Sequence, residues 1–347
     1  MADDACLPAR PDGARAPAAP VAGASVLVAI PTFNEEDHIE ACLRSLLTGD
    51  DRLCHIRIIV ADGESTDATR EIVGHLQAEF PNVSLIHNPK RLQSAAVNAV
   101  AQASSTPETQ YLIRCDAHSI YPPGFITEVA DALARTGADS VVVPMDAVGE
   151  TCFQKANAWI VDTPLGSGGS AHRGGRKSGE VDHGHHAGFK LARFNALGGY
   201  DETFSHNEDA EYDQRVANAG GRIYMDADIR LAYAPRATVS ALARQYYSYG
   251  RGRARNMRKH GTRPRLRQMI PVLNLLGLAG ALVGSAIFPW MLAYPAFYLC
   301  ALGAASLLIA VRHGSLCGLF AGVASGTMHT AWAAGFLRQF VFGSPER

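Results

Sequence analysis

The sequence predicts an α/β domain, a mostly parallel sheet with helices on both faces, followed by C-terminal transmembrane helices. Three observations carry that expectation. Between residues 25 and 144, five short apolar runs of strand type alternate with helical patterns. Acidic or amide side chains gather where those runs end. Later, Met269 to Val311 passes without one charged residue.

The elements follow in order. Ser25–Ile30 is a continuous apolar run closed by Pro31, as in a buried parallel strand. Asn34 to Asp37 reads as a capped helix start ahead of Ile39, Leu43, Leu46 and Leu47. A second strand, His55–Ala61, runs into DGESTDAT, where Asp62 and Gly63 make the turn. Ser65 or Thr66 is placed there to cap a helix carrying Ile72, Val73 and Leu76. Val83–His87 is a third strand, followed by a loop and an amphipathic helix. Tyr111–Arg114 is the fourth, and Ser140–Pro144 the fifth after a helix across Phe125–Ala134. Phe189–Phe194 reads as a short strand or helix start, and Arg222–Tyr224 and Leu231–Tyr233 as short strands closing the sheet.

At 347 residues and 47% hydrophobic, the chain can bury a full core and still supply a second element. The net charge of -1 says little, but its distribution says more. Seven scattered cysteines without a Cys-x-x-Cys pair read as reduced thiols of a cytosolic compartment. Residues 1–24 are rich in Ala, Pro and Gly with no apolar stretch, as in a disordered tail rather than a signal peptide. The remaining boundaries are an α/β domain over 25–238, a basic interfacial segment over 239–268 and a membrane region of two or three helices over 269–338.

The chemistry centres on YLIRCDAH. In extended chain, residues two apart share a side, so Asp116 and His118 can converge while Ala117 stays away. A carboxylate with an imidazole suits Mn2+ or Mg2+ that takes further oxygens from substrate phosphates. Alone, the triplet reads more readily as an acidic corner with an incidental histidine. Asn34, Glu35 and Asp62 stand with Asp116 at strand ends, where an open α/β sheet collects ligands. Fold stability alone would prefer apolar or turn residues there.

PTFNE after the first strand, DGESTDAT after the second, and an Asp-x-His variant of the Asp-x-Asp metal site resemble an inverting family 2 glycosyltransferase with the GT-A nucleotide-sugar-binding fold. GGYDETF (Gly198–Phe204) and EDAEYDQRV (Glu208–Val216) resemble its acceptor-side motifs. The motif order and the membrane tail look most like the bacterial succinoglycan-type glucosyltransferases of exopolysaccharide assembly. The likeness covers roughly Val26 to Gly261. It implies that Pro31, Thr32, Glu35 and Asp62 hold the donor's base and ribose, and that Arg91 lies near its diphosphate. It assigns the metal to Asp116 and His118 and the general base to Asp209 of the Glu208-Asp209 pair. Gly199 and Asp201, with Gln245 and Arg251 further on, become acceptor- or membrane-side candidates. Most relatives carry a second Asp where His118 stands, and the softer imidazole shifts the preference towards Mn2+.

The implied chemistry is self-consistent. A leaving diphosphate needs its charge neutralised, and the acceptor hydroxyl needs a carboxylate on the opposite face of the sugar. Asp209 falls in what reads as the first turn of a helix, where acidic residues also simply complement the dipole. Thr163–Ala187 is glycine-rich and reads as a mobile loop over the site. Its His172, His183, His185 and His186 lack a zinc spacing and suit acceptor contact or solvent.

From Arg244 to Arg267, basic residues interleave with Tyr246, Tyr247 and Tyr249. Nucleic acid is one partner for such a stretch, but the apolar run directly after it argues for a membrane instead. Spans are placed near Ile270–Phe288 and Met291–Val311 with Pro289 at the turn, and Ser315–Leu337 is a weaker third. The basic cluster puts the catalytic domain in the cytoplasm at the inner membrane of a multi-pass protein, near anionic headgroups. The partners expected are a nucleotide sugar such as UDP-glucose and a lipid-linked polyprenyl diphosphate saccharide. A processive synthase is disfavoured because Gln245 to Arg251 resembles Gln-x-x-Arg-Trp without its Arg-Trp. A sugar-nucleotide pyrophosphorylase would want a basic glycine loop where PTFNEEDH is acidic, and an inactive scaffold would not need Asp116 and Asp209.

Overall fold

The computed structural model describes residues 19–168, 175–264 and 266–343. Four strands come first in the chain: β1 (Val26–Thr32), β2 (Arg57–Asp62), β3 (Val83–His87) and β4 (Tyr111–Arg114). Between them run α1 (Ile39–Leu46), α2 (Thr69–Glu79) and α3 (Gln93–Ala103). All four strands are parallel, in the order β3-β2-β1-β4. β1 shows why both faces must be covered. Val26, Val28 and Ile30 pack into one core with Ile39, Leu43 and Val129, while Leu27 and Ala29 enter a second core with Val97 and Val100.

After β4 come α4 (Phe125–Thr136), β5 (Ser140–Val143), β6 (Met145–Ala147), α5 (Cys152–Val161), the single turn α6 (Pro164–Ser167) and β7 (Gly179–Glu180). β8 (His185–Lys190) then inserts antiparallel between β4 and β5. α7 (Leu191–Ala196), α8 (Glu208–Asn218), β9 (Ile223–Met225) and β10 (Leu231–Tyr233) complete the domain. The main sheet has eight strands, extended beyond β4 by β8-β5-β9-β7.

Several expectations shift. The expected strand or helix at Phe189 begins earlier, at His185, so the end of the supposed loop is sheet. Leu231–Tyr233 does not close the main sheet but pairs with β6. Asn34 to Asp37 does not cap α1, whose N-cap is His38 without a side-chain bond. His172 and most of the N-terminal tail lie outside the described residues.

The thiols also differ from expectation, because Cys152 at the start of α5 is disulfide-bonded to Cys317. The partners stand 165 residues apart, so only the packed fold brings them together. Cys42, Cys54, Cys115 and Cys300 are free. Cytosolic placement therefore gains nothing from the cysteines.

Four helices end the chain: α9 (Val239–His260), α10 (Leu266–Gly284), α11 (Ala293–His313) and α12 (Ala321–Phe342). α10 and α11 are long and apolar enough to cross a membrane, and only 11% of either apolar stretch is buried. Leu273, Leu276, Val283, Phe297, Leu307 and Leu308 all stand more than half exposed. Burying such a side chain is worth roughly 1.5–3 kcal/mol, so the hairpin leaves a large apolar surface uncovered.

α12 behaves differently. It lies along α9 in the same direction, with Gly335 against Tyr247 and Gln339 against Arg258. The contact depends on missing side chains, since a Cβ on Gly335 would sit 2.1 Å from the Tyr247 carbonyl oxygen and one on Gly250 2.0 Å from that of Trp332. Part of the basic segment is likewise consumed internally. Arg255 stacks 4.2 Å over the Phe204 ring, and Lys259 bonds Asp201 (2.5 Å) and Glu211 (2.6 Å). α9 is thus bolted to the catalytic domain. Gly335→Val should lower the thermal unfolding midpoint in detergent, with an overpacking cost of about 1–3 kcal/mol or more. Gly303→Ala, where nothing lies within 4 Å of the added carbon, should not. Equal effects would mean that the α9–α12 contact is loose.

Candidate active site

The first two strand ends are laced together. Asn34 adopts a positive φ of 53°, its N–H donates to Ser65 Oγ (2.9 Å), and its Oδ1 accepts from the Thr66 N–H (2.8 Å). The Glu35 N–H donates to Thr69 Oγ1 at 2.8 Å, and Gly63 N–H to the Thr32 carbonyl at 2.8 Å. Ser65 and Thr66 therefore brace the first turn instead of capping α2, where Asp67 accepts from the Thr69 N–H.

A small pocket of about 200 Å³ results, lined by Pro31, Thr32, Glu35, Arg91, Asp116 and His118 among others. Six of the sequence-selected residues thus meet. Asp62 does not line it: its buried carboxylate accepts the Ser65 N–H, and Gly63 forms the wall instead. Arg91 also has positive φ and is ion-paired with Glu64.

Asp116 follows β4 and accepts from Gln93 Nε2 (2.9 Å) and Arg114 (3.4 Å). Burial pushes its carboxyl up, but Arg114, His185 and His118 outweigh that and hold it below the usual range. His118 Nδ1 lies 3.1 Å from Glu35 Oε1, and that hydrogen bond raises the ring's pKa. A carboxylate holding Nδ1–H orients Nε2 outward, as second-sphere partners of metal histidines do. His185 opens β8 opposite the end of β4, and the antiparallel pairing brings its Nε2 to 3.8 Å from Asp116 Oδ2. Burial lowers the His185 pKa to about 4, keeping the ring neutral. This mixed oxygen and imidazole set fits Mn2+ or Mg2+. Among the described residues no group of three or more His, Cys, Asp or Glu side chains is arranged to hold a metal ion.

Glu208 and Asp209 open α8 after Asn207, itself at a positive φ of 64°. Glu208 is buried 3.4 Å from Arg114. Burial, with Asp209 adding to it, raises the Glu208 carboxyl. Asp209 feels the same burial, but His183, His186 and Arg114 hold it below the ordinary range. The two neighbouring carboxyls are thus pushed apart, Glu208 up and Asp209 down.

His183 and His186 of the supposed loop help to build this environment. Asp213 accepts from His183 Nδ1 and His186 Nε2, each at 2.7 Å. His186 Nδ1 accepts from the Tyr200 hydroxyl (2.7 Å), which in turn accepts from Arg114 (3.1 Å). The sequence singled out His183 and His186 for acceptor contact or solvent, not for this bonding to Asp213, which joins residues 27 and 30 positions apart. The clustered histidines were the available signal.

A cleft of about 1980 Å³ continues from here, lined by Asp116, His118, Glu208 and Asp209 and by residues of α9 to α12. Of the acceptor-side candidates, Gln245 lines it, while Gly199, Asp201 and Arg251 do not. Gly199, at φ 67°, is structural, since a Cβ would meet Asn98 Oδ1 at 2.3 Å. Asp201 grips Lys259, which with Thr203 lowers its pKa to about 2 against the opposing effect of burial.

The sequence profile described as glycosyl transferase family 2 matches residues 27–200. The chain belongs to glycosyltransferase family 2. It is 45% identical over 319 residues to the succinoglycan biosynthesis protein ExoA of Rhizobium meliloti (strain 1021), covering 91% of this chain and 95% of that protein. A dolichyl N-acetyl-alpha-D-glucosaminyl phosphate 3-beta-D-2,3-diacetamido-2,3-dideoxy-beta-D-glucuronosyltransferase of Methanococcus voltae is 26% identical, over 67% of this chain and 74% of its own length. Among solved structures, a Pyrobaculum calidifontis mannosyltransferase in complex with GDP-Man and Mn2+ shares the fold. It has a TM-score of 0.56 at 21% identity, over 91% of this chain and 87% of that one.

For a family 2 glycosyltransferase the Glu208-Asp209 pair makes a sharp test. If Asp209 is the base, Asp209→Asn should leave donor affinity intact and lower turnover by about 10²–10⁴-fold, with Glu208→Gln costing much less. His183→Asn removes the strongest of the neighbours that hold Asp209 ionised, so the acid limb of kcat/KM should move to higher pH. Titration calorimetry with donor, beside rate profiles across pH, reads both effects. A rate loss without movement of the limb would make His183 merely structural.

Proposed function

We propose that this chain transfers glucose from UDP-glucose, with inversion, onto a lipid-linked polyprenyl diphosphate saccharide in exopolysaccharide or cell-envelope glycan assembly. The observation that carries this reading is the single cleft that joins Asp116 and Asp209 to the membrane-type helices. A soluble acceptor needs no such continuity. The likeness to a succinoglycan biosynthesis protein and to a transferase named for a dolichyl phosphate acceptor supports the same reading.

The donor is held in the pocket between the first two strand ends, where Pro31, Thr32, Glu35 and Arg91 line the walls. Mn2+ or Mg2+ at Asp116 and His118, with His185 alongside, would neutralise the leaving diphosphate. Asp209 takes the proton of the acceptor hydroxyl, and Glu208, held by Arg114, orients the helix end. Asp116→Ala loses both the ligand and the partner of Arg114.

The α10–α11 hairpin anchors this machinery at the inner membrane. Arg263 and Arg267 precede it and Arg312 closes it, whereas Pro289–Leu292 at the far turn carry no charge. That asymmetry favours the cytoplasm for both ends and for the catalytic domain. We place the domain boundaries as the sequence does, with α9 counted as the link between the two parts.

Stripping with EDTA should abolish transfer and added Mn2+ should restore it, while Asp116→Ala should stay inactive under both conditions. In a strain lacking the gene, mass spectrometry should find a lipid-linked saccharide one hexose short, and purified enzyme with UDP-glucose should extend it. Full turnover in EDTA would remove the metal. An unchanged lipid-linked pool would remove the acceptor.

A further inference from the structure

The helix-lined half of the cleft is not accounted for by sugar transfer. Its walls differ in character. The lining carries both signs, with Asp116, Glu208, Asp209 and Asp213 on one hand and Arg236, Arg253, Arg263 and Arg267 on the other. A saccharide offers hydroxyls and has no need of four arginines, whereas phosphate does. The same cleft also has apolar lining, with Ile270 from α10, Ile309 from α11, and Met328 and Trp332 from α12. On α9, Tyr246, Tyr249, Arg253 and Met257 recur at three- or four-residue spacing and all face the cleft, so they form one stripe running from aromatic to basic to apolar.

We propose that this half is the binding site for the polyisoprenyl phosphate part of the acceptor. Arg253, with Arg263 and Arg267 where α10 begins, takes the phosphate groups, and the apolar stretch between α10, α11 and α12 takes the first isoprene units. The proposal rests on the lipid-linked reading above and names where that acceptor is held. Arg253 is near enough to His183 for its charge to oppose protonation of that ring, and His183 in turn bears on Asp209. Phosphates held at Arg253 therefore leave the attached sugar beside the base. Charge complementarity selects a phosphate-bearing lipid over a neutral one, and continuity with the catalytic wall selects the acceptor over bulk headgroups.

The test uses the full-length enzyme in detergent with farnesyl diphosphate as probe, and farnesol, inorganic diphosphate and phosphatidylglycerol as competitors. A benzophenone-bearing farnesyl diphosphate should label peptides from α10, α11 and α12. The Arg253→Gln, Arg267→Gln double variant should weaken farnesyl diphosphate binding by about tenfold or more, the scale of one or two charge-assisted contacts. It should leave farnesol binding and UDP-glucose binding unchanged, the latter showing that the fold survives. Met328→Glu should weaken farnesyl diphosphate and farnesol alike.

Unchanged farnesyl diphosphate affinity in the arginine variant would overturn the proposal. So would competition by phosphatidylglycerol as strong as that by farnesyl diphosphate, which would mark a general headgroup surface, or by inorganic diphosphate, which would deny the lipid a part. If purified lipid-linked acceptor is extended with the same KM by wild type and by the arginine variant, the lipid-linked reading stands and this site falls. If no lipid-linked saccharide is extended at all, both fall together.

Discussion

Arg114 is the interaction on which the site depends. It ends β4 and is only 7% exposed, and its guanidinium reaches Asp116 on the donor side, Glu208 on the base side and the Tyr200 hydroxyl between them. Burying a cation is expensive, and here its Nε is left without a partner among the described residues. What offsets the cost is that two carboxyls crowded into one cleft would otherwise repel each other. One charge therefore serves both halves of the reaction, and the chain Arg114–Tyr200–His186–Asp213–His183 carries the same order round to Asp209.

Much of this was legible in sequence, for physical reasons. β1, β2 and β4 are largely buried and so read as apolar runs, and chemistry placed at their ends stands out against them. Asp116, His118 and Glu35 were found that way and Arg91 through the family resemblance, and the fold gathers them in one pocket. β8 was not legible. Its strand HHAGFK contains glycine and two histidines and draws its order from the antiparallel partners Tyr111–Ile113 and Ser140–Val143, which no local pattern encodes. The roles of His185 and His186 were lost with it, as was that of Asp213.

The C-terminal helices divide along the same line. α10 and α11 were visible because no charge interrupts the apolar run from Met269 to Val311. α12 was ambiguous because it packs on protein. Its small residues allow Gly335 to meet Tyr247, and its His329 is spent on the Leu165 carbonyl (2.7 Å) and the Tyr298 hydroxyl (3.0 Å). That histidine ties α6, at the cleft wall, to two of the C-terminal helices. Ser65, Thr66 and Lys259 teach a related lesson, since each is locally suited to one task and employed on another by a partner distant in sequence.

The central claim is that Arg114 compensates Asp116 and Glu208 together, and a double-mutant cycle between Arg114→Met and Glu208→Gln measures it most directly. Arg114→Met alone leaves two buried carboxyls unbalanced and should cost about 3–5 kcal/mol of stability, with loss of both donor affinity and turnover. Adding Glu208→Gln removes one of those carboxyls, so the double variant should recover part of the stability, with a coupling energy of at least about 1 kcal/mol. Strict additivity, with no recovery in the double variant, would contradict the account and leave Arg114 as a partner of Asp116 alone.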